Sequence, residues 1–188
     1  HVLRSAGNGF CGCSRLTLLQ LLQERASVLG VGLHFEIEVS DERRFADSDL
    51  VIAADGIASV IRDTYAESFG TKIELRKNYF CWLGSTRELD AFKYFFRETE
   101  HGIIVMHAYQ YEESRSTWVC EMQPSTWHGH GFGEMEEADY ARELEDIFSE
   151  ELAGHSLIIN RSLWRQFPEV KNKTWVRDNL VLLGDAQH

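Results

Sequence analysis

Two short apolar runs, each closed by glycine beside aspartate, limit this chain more than any other feature. The first is Asp49-Leu50-Val51-Ile52-Ala53-Ala54-Asp55-Gly56 and the second is Asn179-Leu180-Val181-Leu182-Leu183-Gly184-Asp185. Such a run reads as a strand buried on both faces, the kind a parallel sheet uses. Ligands of open α/β sheets sit at the carboxyl ends of these strands. There a glycine lets the backbone approach the ligand, and a carboxylate accepts hydrogen bonds from sugar hydroxyls. Arg62 follows Asp55 by one to two helical turns, where it could pair with a phosphate or with Asp55 itself. Asp-Gly and Gly-Asp are also common turn residues, so either run alone is equally a plain strand-to-turn junction.

The sequence between and around these runs changes period several times. Residues 14–29 place Leu18, Leu21, Leu22, Ala26 and Leu29 at helical spacing, with Ser14 as N-cap and Gly30 as stop. Residues 31–39, VGLHFEIEV, alternate as a half-buried strand does. A helix is expected to open within 57–66. Four aromatic or β-branched runs follow at 78–86, 92–99, 102–111 and 116–123, with the polar breaks of an antiparallel meander. Residues 134–153 form an acidic amphipathic helix with Ala141, Leu144 and Phe148 on one face. Residues 174–177 and 179–184 read as closing strands joined by a turn at Asp178-Asn179. The order predicts a mixed α/β (α+β) architecture, with an antiparallel sheet inserted into part of a nucleotide-binding core.

Charge narrows the function classes. Thirty acidic against 19 basic residues give a formal net charge of -11, which repels nucleic-acid backbones and anionic membranes. The four cysteines, Cys11, Cys13, Cys81 and Cys120, form no disulfide framework, so reduced thiols in the cytoplasm are the default expectation. No stretch reaches the length of a membrane span. His128 and His130 near Cys120 match no common zinc spacing, so no metal is expected. No catalytic dyad or triad can be read from residue order. The chain begins at His1 rather than Met and stops at His188, and both ends are expected to be cut.

The run D-G-x-x-S-x-x-R at 55–62 resembles the second flavin motif of the para-hydroxybenzoate-hydroxylase-like monooxygenases, and G-D-A at 184–186 resembles their third. Arg15, opening R-x-x-L-x-x-x-L, is similar to the arginine that these enzymes set against the flavin. The segments Trp82 to Thr86, Phe95 to Gly102, His107 to Tyr109 and Ser116 to Glu121 resemble the subgroup acting on salicylyl-CoA and 2-aminobenzoyl-CoA. They are also similar to the indole-ring hydroxylase of violacein biosynthesis. The resemblance runs from about Gly9 to His188.

That resemblance implies an FAD-dependent hydroxylation of a small aromatic substrate, with NAD(P)H and O2 as co-substrates. The flavin carries the oxygen chemistry, and the protein supplies orientation, a dry pocket and electrostatics. It implies that Asp185, with Gly184, binds the ribityl chain of FAD. Asp55 and Gly56 would lie near the pyrophosphate and the NAD(P)H path, with Arg62 serving the same region. Trp82, Phe95, His107 and Tyr109 become candidate substrate contacts. Residues 1–74 and 174–188 are then expected to belong to the FAD-binding domain, and residues 75–173 to the substrate-binding sheet. Two departures stand out. The family's G-x-G-x-x-G turn is absent, and Gln187 stands where the family has a second alanine in G-D-A-A-H. The isolated chain is therefore expected to be inactive.

Overall fold

The computed structural model describes residues 2–5, 7 and 9–188. The chain divides into two compact units: residues up to 33 with 77–166, and residues 34–76 with 167–188. The stretch before Leu33 thus groups with the antiparallel sheet, although the expected boundary assigned it to the other part of the chain. Its local packing explains this. Gly12 lies so close to Gln110 that an added Cβ would meet the Gln110 carbonyl at 2.4 Å. Phe10 sets its ring edge-on against Phe92 and Tyr109, at 5.3 and 5.5 Å between centroids.

The first unit opens with helix α1 (Arg15–Val28), whose N-cap Ser14 accepts a hydrogen bond from Thr17 N at 3.2 Å. None of its residues is buried. Leu16, Leu18, Leu19, Leu21 and Leu22 surround the helix rather than lining one stripe, so the one-sided packing expected from their spacing does not form.

Residues 31–39 also depart from expectation. They are not a strand, because no ladder partner faces them among the described residues and Glu36 turns at φ 55°.

The sheet of this unit contains β2 (Lys72–Ser85), β3 (Lys93–Thr99), β4 (Gly102–Glu112), β5 (Arg115–Met122), β6 (Leu157–Ile158) and β7 (Arg165–Lys171). Its order is β3-β4-β5-β2-β6, with β7 also on β2, and the unit boundaries fall within β2 and β7. Only β3, β4 and β5 form a true meander. β2 pairs with β5, placing Cys81 opposite Cys120 and Trp82 opposite Val119.

Alternation then gives the sheet two different faces. Cys81, Leu83, Ile104, Met106, Trp118 and Cys120 point into a core closed by Phe132, Tyr140, Leu144 and Phe148. The acidic segment after the short helix α4 (Pro124–His130) supplies most of this cover as α5 (Glu137–Ile147) and the short α6 (Ser149–Leu152). Phe148 breaks the expected single helix and is itself fully buried. Each such aliphatic or aromatic side chain contributes about 1.5–3 kcal/mol by leaving water. Burial pushes the Cys81 thiol up to about 12, and its Sγ donates to Ser162 O at 2.9 Å.

The second unit holds β1 (Val51–Ala53), α2 (Val60–Thr64), α3 (Ala66–Phe69), β8 (Val176–Arg177) and β9 (Leu180–Leu182). The sheet order is β1-β9-β8. β1 and β9 are parallel neighbours in the register Val51↔Leu180, Ile52↔Val181, Ala53↔Leu182. Leu183 N extends this ladder by donating to Ala53 O at 2.9 Å. Ala53, Ile61, Phe69, Leu180 and Leu182 form the small core.

Candidate functional site

The parallel register fixes where the two aspartates fall. β1 runs out through Ala54 into Asp55-Gly56, and its neighbour β9 runs out through Leu183 into Gly184-Asp185. Both motifs therefore leave the same, carboxyl-terminal edge of one sheet.

The glycines are required there by conformation. Gly56 has φ +87° and Gly184 φ +61°, values that side-chain-bearing residues rarely adopt. A Cβ built on either would meet nothing within 4 Å, so the space beside both turns is open. Asp55 and Asp185 are exposed. One carboxylate oxygen of Asp55 accepts from Ile61 N at 3.3 Å, and Ser59 Oγ accepts from Arg62 N at 2.9 Å, so the loop is tied to the start of α2.

Arg62 takes a different part from the one expected. Its side chain is buried, with 1% exposure, and is spent on the protein itself. It donates to Ile57 O at 2.8 Å, to Asp63 Oδ1 at 2.9 Å and, more weakly, to Ala186 O at 3.5 Å. It pairs with neither Asp55 nor open space that a phosphate could enter. Instead the guanidinium fork bridges the loop after β1 to the turn after β9, because its planar donors can reach two carbonyls at once. A second tie, Asn172 Nδ2 to Gln187 O at 2.6 Å, holds the end of that turn. Gln187, the departure from the family pattern, is buried, and its amide oxygen pairs with His188 Nδ1.

In the first unit an open cleft of about 850 Å³ lies between the start of α1 and the uncovered face of the sheet. Arg15, Trp82 and Tyr109 line it together, with Tyr111 and Arg115. Tyr111 follows from the parity of Tyr109, whereas Arg115 comes to the cleft only because the β4–β5 hairpin folds back.

Of the other two substrate candidates, His107 shares this face one step along β4 from Tyr109. Phe95 does not. It stacks on the fully buried Trp118 at 5.5 Å, on the helix-covered side, so its candidacy as a pocket liner is corrected. Tyr94 and Phe96 are the residues of β3 that point with His107. Tyr94 meets the His107 ring at 4.7 Å.

Among the described residues no group of acidic, histidine or cysteine side chains could hold a metal ion. No helix among them is long and apolar enough to cross a membrane.

The family model described as an FAD binding domain matches residues 8–188. The chain belongs to that family. It is 35% identical to a salicyloyl-CoA 5-hydroxylase of Streptomyces sp, over 98% of this chain and 37% of the relative. It is 37% identical to a 3-hydroxy-4-methyl-anthranilyl-[aryl-carrier protein] 5-monooxygenase of Streptosporangium sibiricum, over 93% of this chain and 45% of the relative. A protodeoxyviolaceinate monooxygenase of Chromobacterium violaceum is 30% identical, over 98% and 50%. The chain thus spans half or less of the length of these curated relatives.

The fold is that of the flavin-dependent oxygenases. The structure of 2-methyl-3-hydroxypyridine-5-carboxylic acid oxygenase superposes with TM-score 0.64 at 17% identity, over 94% of this chain and 51% of that one. A flavin-dependent halogenase superposes with TM-score 0.58 at 19% identity, over 93% and 35%. The fold alone therefore does not choose between oxygenase and halogenase.

Proposed function

We propose that this chain is part of an FAD-dependent monooxygenase that hydroxylates an aromatic acid carried as a thioester, using NAD(P)H and O2. The observation that carries the FAD reading is the pair of glycine-aspartate turns leaving adjacent parallel strands, with open space beside both glycines. That arrangement fits a dinucleotide: Asp185 receives ribityl hydroxyls, and the backbone of Asp55-Gly56 admits the pyrophosphate region. Arg62 acts through the loops it joins and does not touch the ligand. When bound, FAD supplies the oxygen-transfer chemistry, which no side chain here could perform.

The protein's own contribution to the substrate is the uncovered sheet face. Trp82, Tyr109 and Tyr111 offer flat apolar surface for a ring, and Arg15 and Arg115 place two cations at the same cleft. Two relatives are named for aryl groups in thioester linkage, to CoA and to a carrier protein, which favours a thioester-linked acid over a free one.

The test uses the complete FAD-loaded enzyme of which this chain is proposed to be part, with NADH or NADPH. Mass spectrometry should find a product heavier by one oxygen from a hydroxybenzoyl or aminobenzoyl thioester, with label from 18O2. NAD(P)H oxidation without oxygen in the ring, or chlorination in the presence of halide, would overturn the assignment.

A further inference from the structure

Two neighbouring rows of the uncovered face are mainly aromatic and aliphatic. Trp82, Val119, His107 and Tyr94 fall in register across β2, β5, β4 and β3, and the neighbouring row holds Phe80, Glu121, Val105 and Phe96. A carboxylate among such side chains loses part of its hydration and needs polar partners. Glu121 has two. Asn78 Nδ2 donates to its Oε1 at 2.6 Å, and His107 Nε2 lies 3.3 Å from its Oε2. The side chains of His107 and Glu121 are each 23% exposed, shielded but open to a ligand on this face.

The arrangement also orients the imidazole. A carboxylate beside Nε2 favours the tautomer with its proton on that nitrogen, so the lone pair of Nδ1 is left to face elsewhere. The groups gathered on His107 are Glu121 from β5 and Tyr94 from β3, with Asn78 from β2 one step behind. No cationic side chain is paired with it among the described residues. Tyr109, which lines the cleft with Arg15 and Trp82, is two residues along the same strand. That is a distance of about 7 Å, close to the width of a substituted benzene ring.

We propose that His107 takes the proton from a ring hydroxyl of the bound aromatic substrate, and that Glu121, braced by Asn78, is its positioning residue. This rests on the reading of the sheet face as the aromatic site. In the step the O–H bond of the ring hydroxyl breaks and an N–H bond forms at His107 Nδ1. The electron pair stays on oxygen, and the imidazolium so formed lies against the Glu121 carboxylate. Electron density released into the ring is what an electrophilic oxygen requires of its target. His107 stands on the same face, one step along its strand from the cleft residue Tyr109, and is held by a further residue, as a general base should be.

The test needs no turnover. A chromogenic nitrophenol carrying a carboxylate is bound to the FAD-loaded protein below its own pKa, and the phenolate band reports how much of it is ionised. Wild-type protein should raise the ionised fraction of the bound probe several-fold over the free probe. His107→Gln should abolish that increase, Glu121→Gln should reduce it, and Glu121→Asp should restore part of it. The methyl ether of the probe, which has no proton to lose, should bind all four proteins within about twofold. An unchanged ionised fraction in His107→Gln overturns the inference while leaving the aromatic site intact. Loss of methyl-ether binding in step with ionisation also overturns it, by making His107 a packing residue. Failure of both probes to bind wild-type protein overturns the site reading and the inference together.

Discussion

Replacing Arg62 by methionine asks whether one buried guanidinium holds together the two turns that define the nucleotide edge. The magnitude follows from its contacts. The bond to Ile57 O, at 2.8 Å and partly buried, involves a charged donor, a class that contributes about 2 kcal/mol. The contact with Ala186 O is long at 3.5 Å and adds about 0.5 kcal/mol. Asp63 is 55% exposed, so that pairing is screened by water and adds about 0.5 kcal/mol. Methionine keeps most of the aliphatic volume, which leaves an expected loss of about 3 kcal/mol. With a urea slope of about 2 kcal/mol per M, the midpoint falls by about 1.5 M. The assay is urea unfolding followed by circular dichroism. Arg62→Lys keeps the charge but not the fork and should lose about half as much. Asp63→Ala should cost less than about 1 kcal/mol. A loss below about 0.5 kcal/mol for Arg62→Met, or one matched by Asp63→Ala, would refute the bridging role.

Further outcomes are expected from the same geometry. Gly56→Ala and Gly184→Ala each force a side chain into positive φ and should cost about 1–2 kcal/mol in unfolding, with a further drop in FAD affinity read by flavin fluorescence. Phe95→Ala should destabilise by about 2–3 kcal/mol and leave affinity for an aromatic ligand unchanged; Trp82→Ala should do the reverse, as calorimetry and unfolding can separate. Ellman's reagent should titrate the exposed Cys11 and Cys13 at once, and Cys81 and Cys120 only after denaturant is added. Burial raises the Cys81 thiol from 9.0 to about 12, so its contribution to stability is complete below pH 9. That contribution is lost as the pH rises through 12, because the unfolded chain releases its proton first. Alkaline unfolding curves of Cys81→Ala should be flatter over that window.

The local signals that the sequence carried were those that depend on period and on turn chemistry. Strand alternation gave the aromatic sheet, and the acidic helix showed its apolar face. The runs before Asp55 and Asp185 were recognisable as strands, because unbroken apolar residues closed by glycine have few other solutions, but burial on both faces did not follow, since Ile52 is 54% exposed. What failed was whatever needs a partner to exist. VGLHFEIEV has a strand's alternation, yet among the described residues no neighbouring strand receives it, and the α1 leucines find no core. Parity within the FKYFFRET run was equally hidden. Which of Tyr94 and Phe95 faces the ligand side depends on the register with β4, and register is a property of two strands. Arg62 makes the same point. The sequence placed a cation near the motif, and only the close approach of Ile57 O and Ala186 O, brought together by the parallel pairing of β1 with β9, turned it from a ligand contact into a clamp.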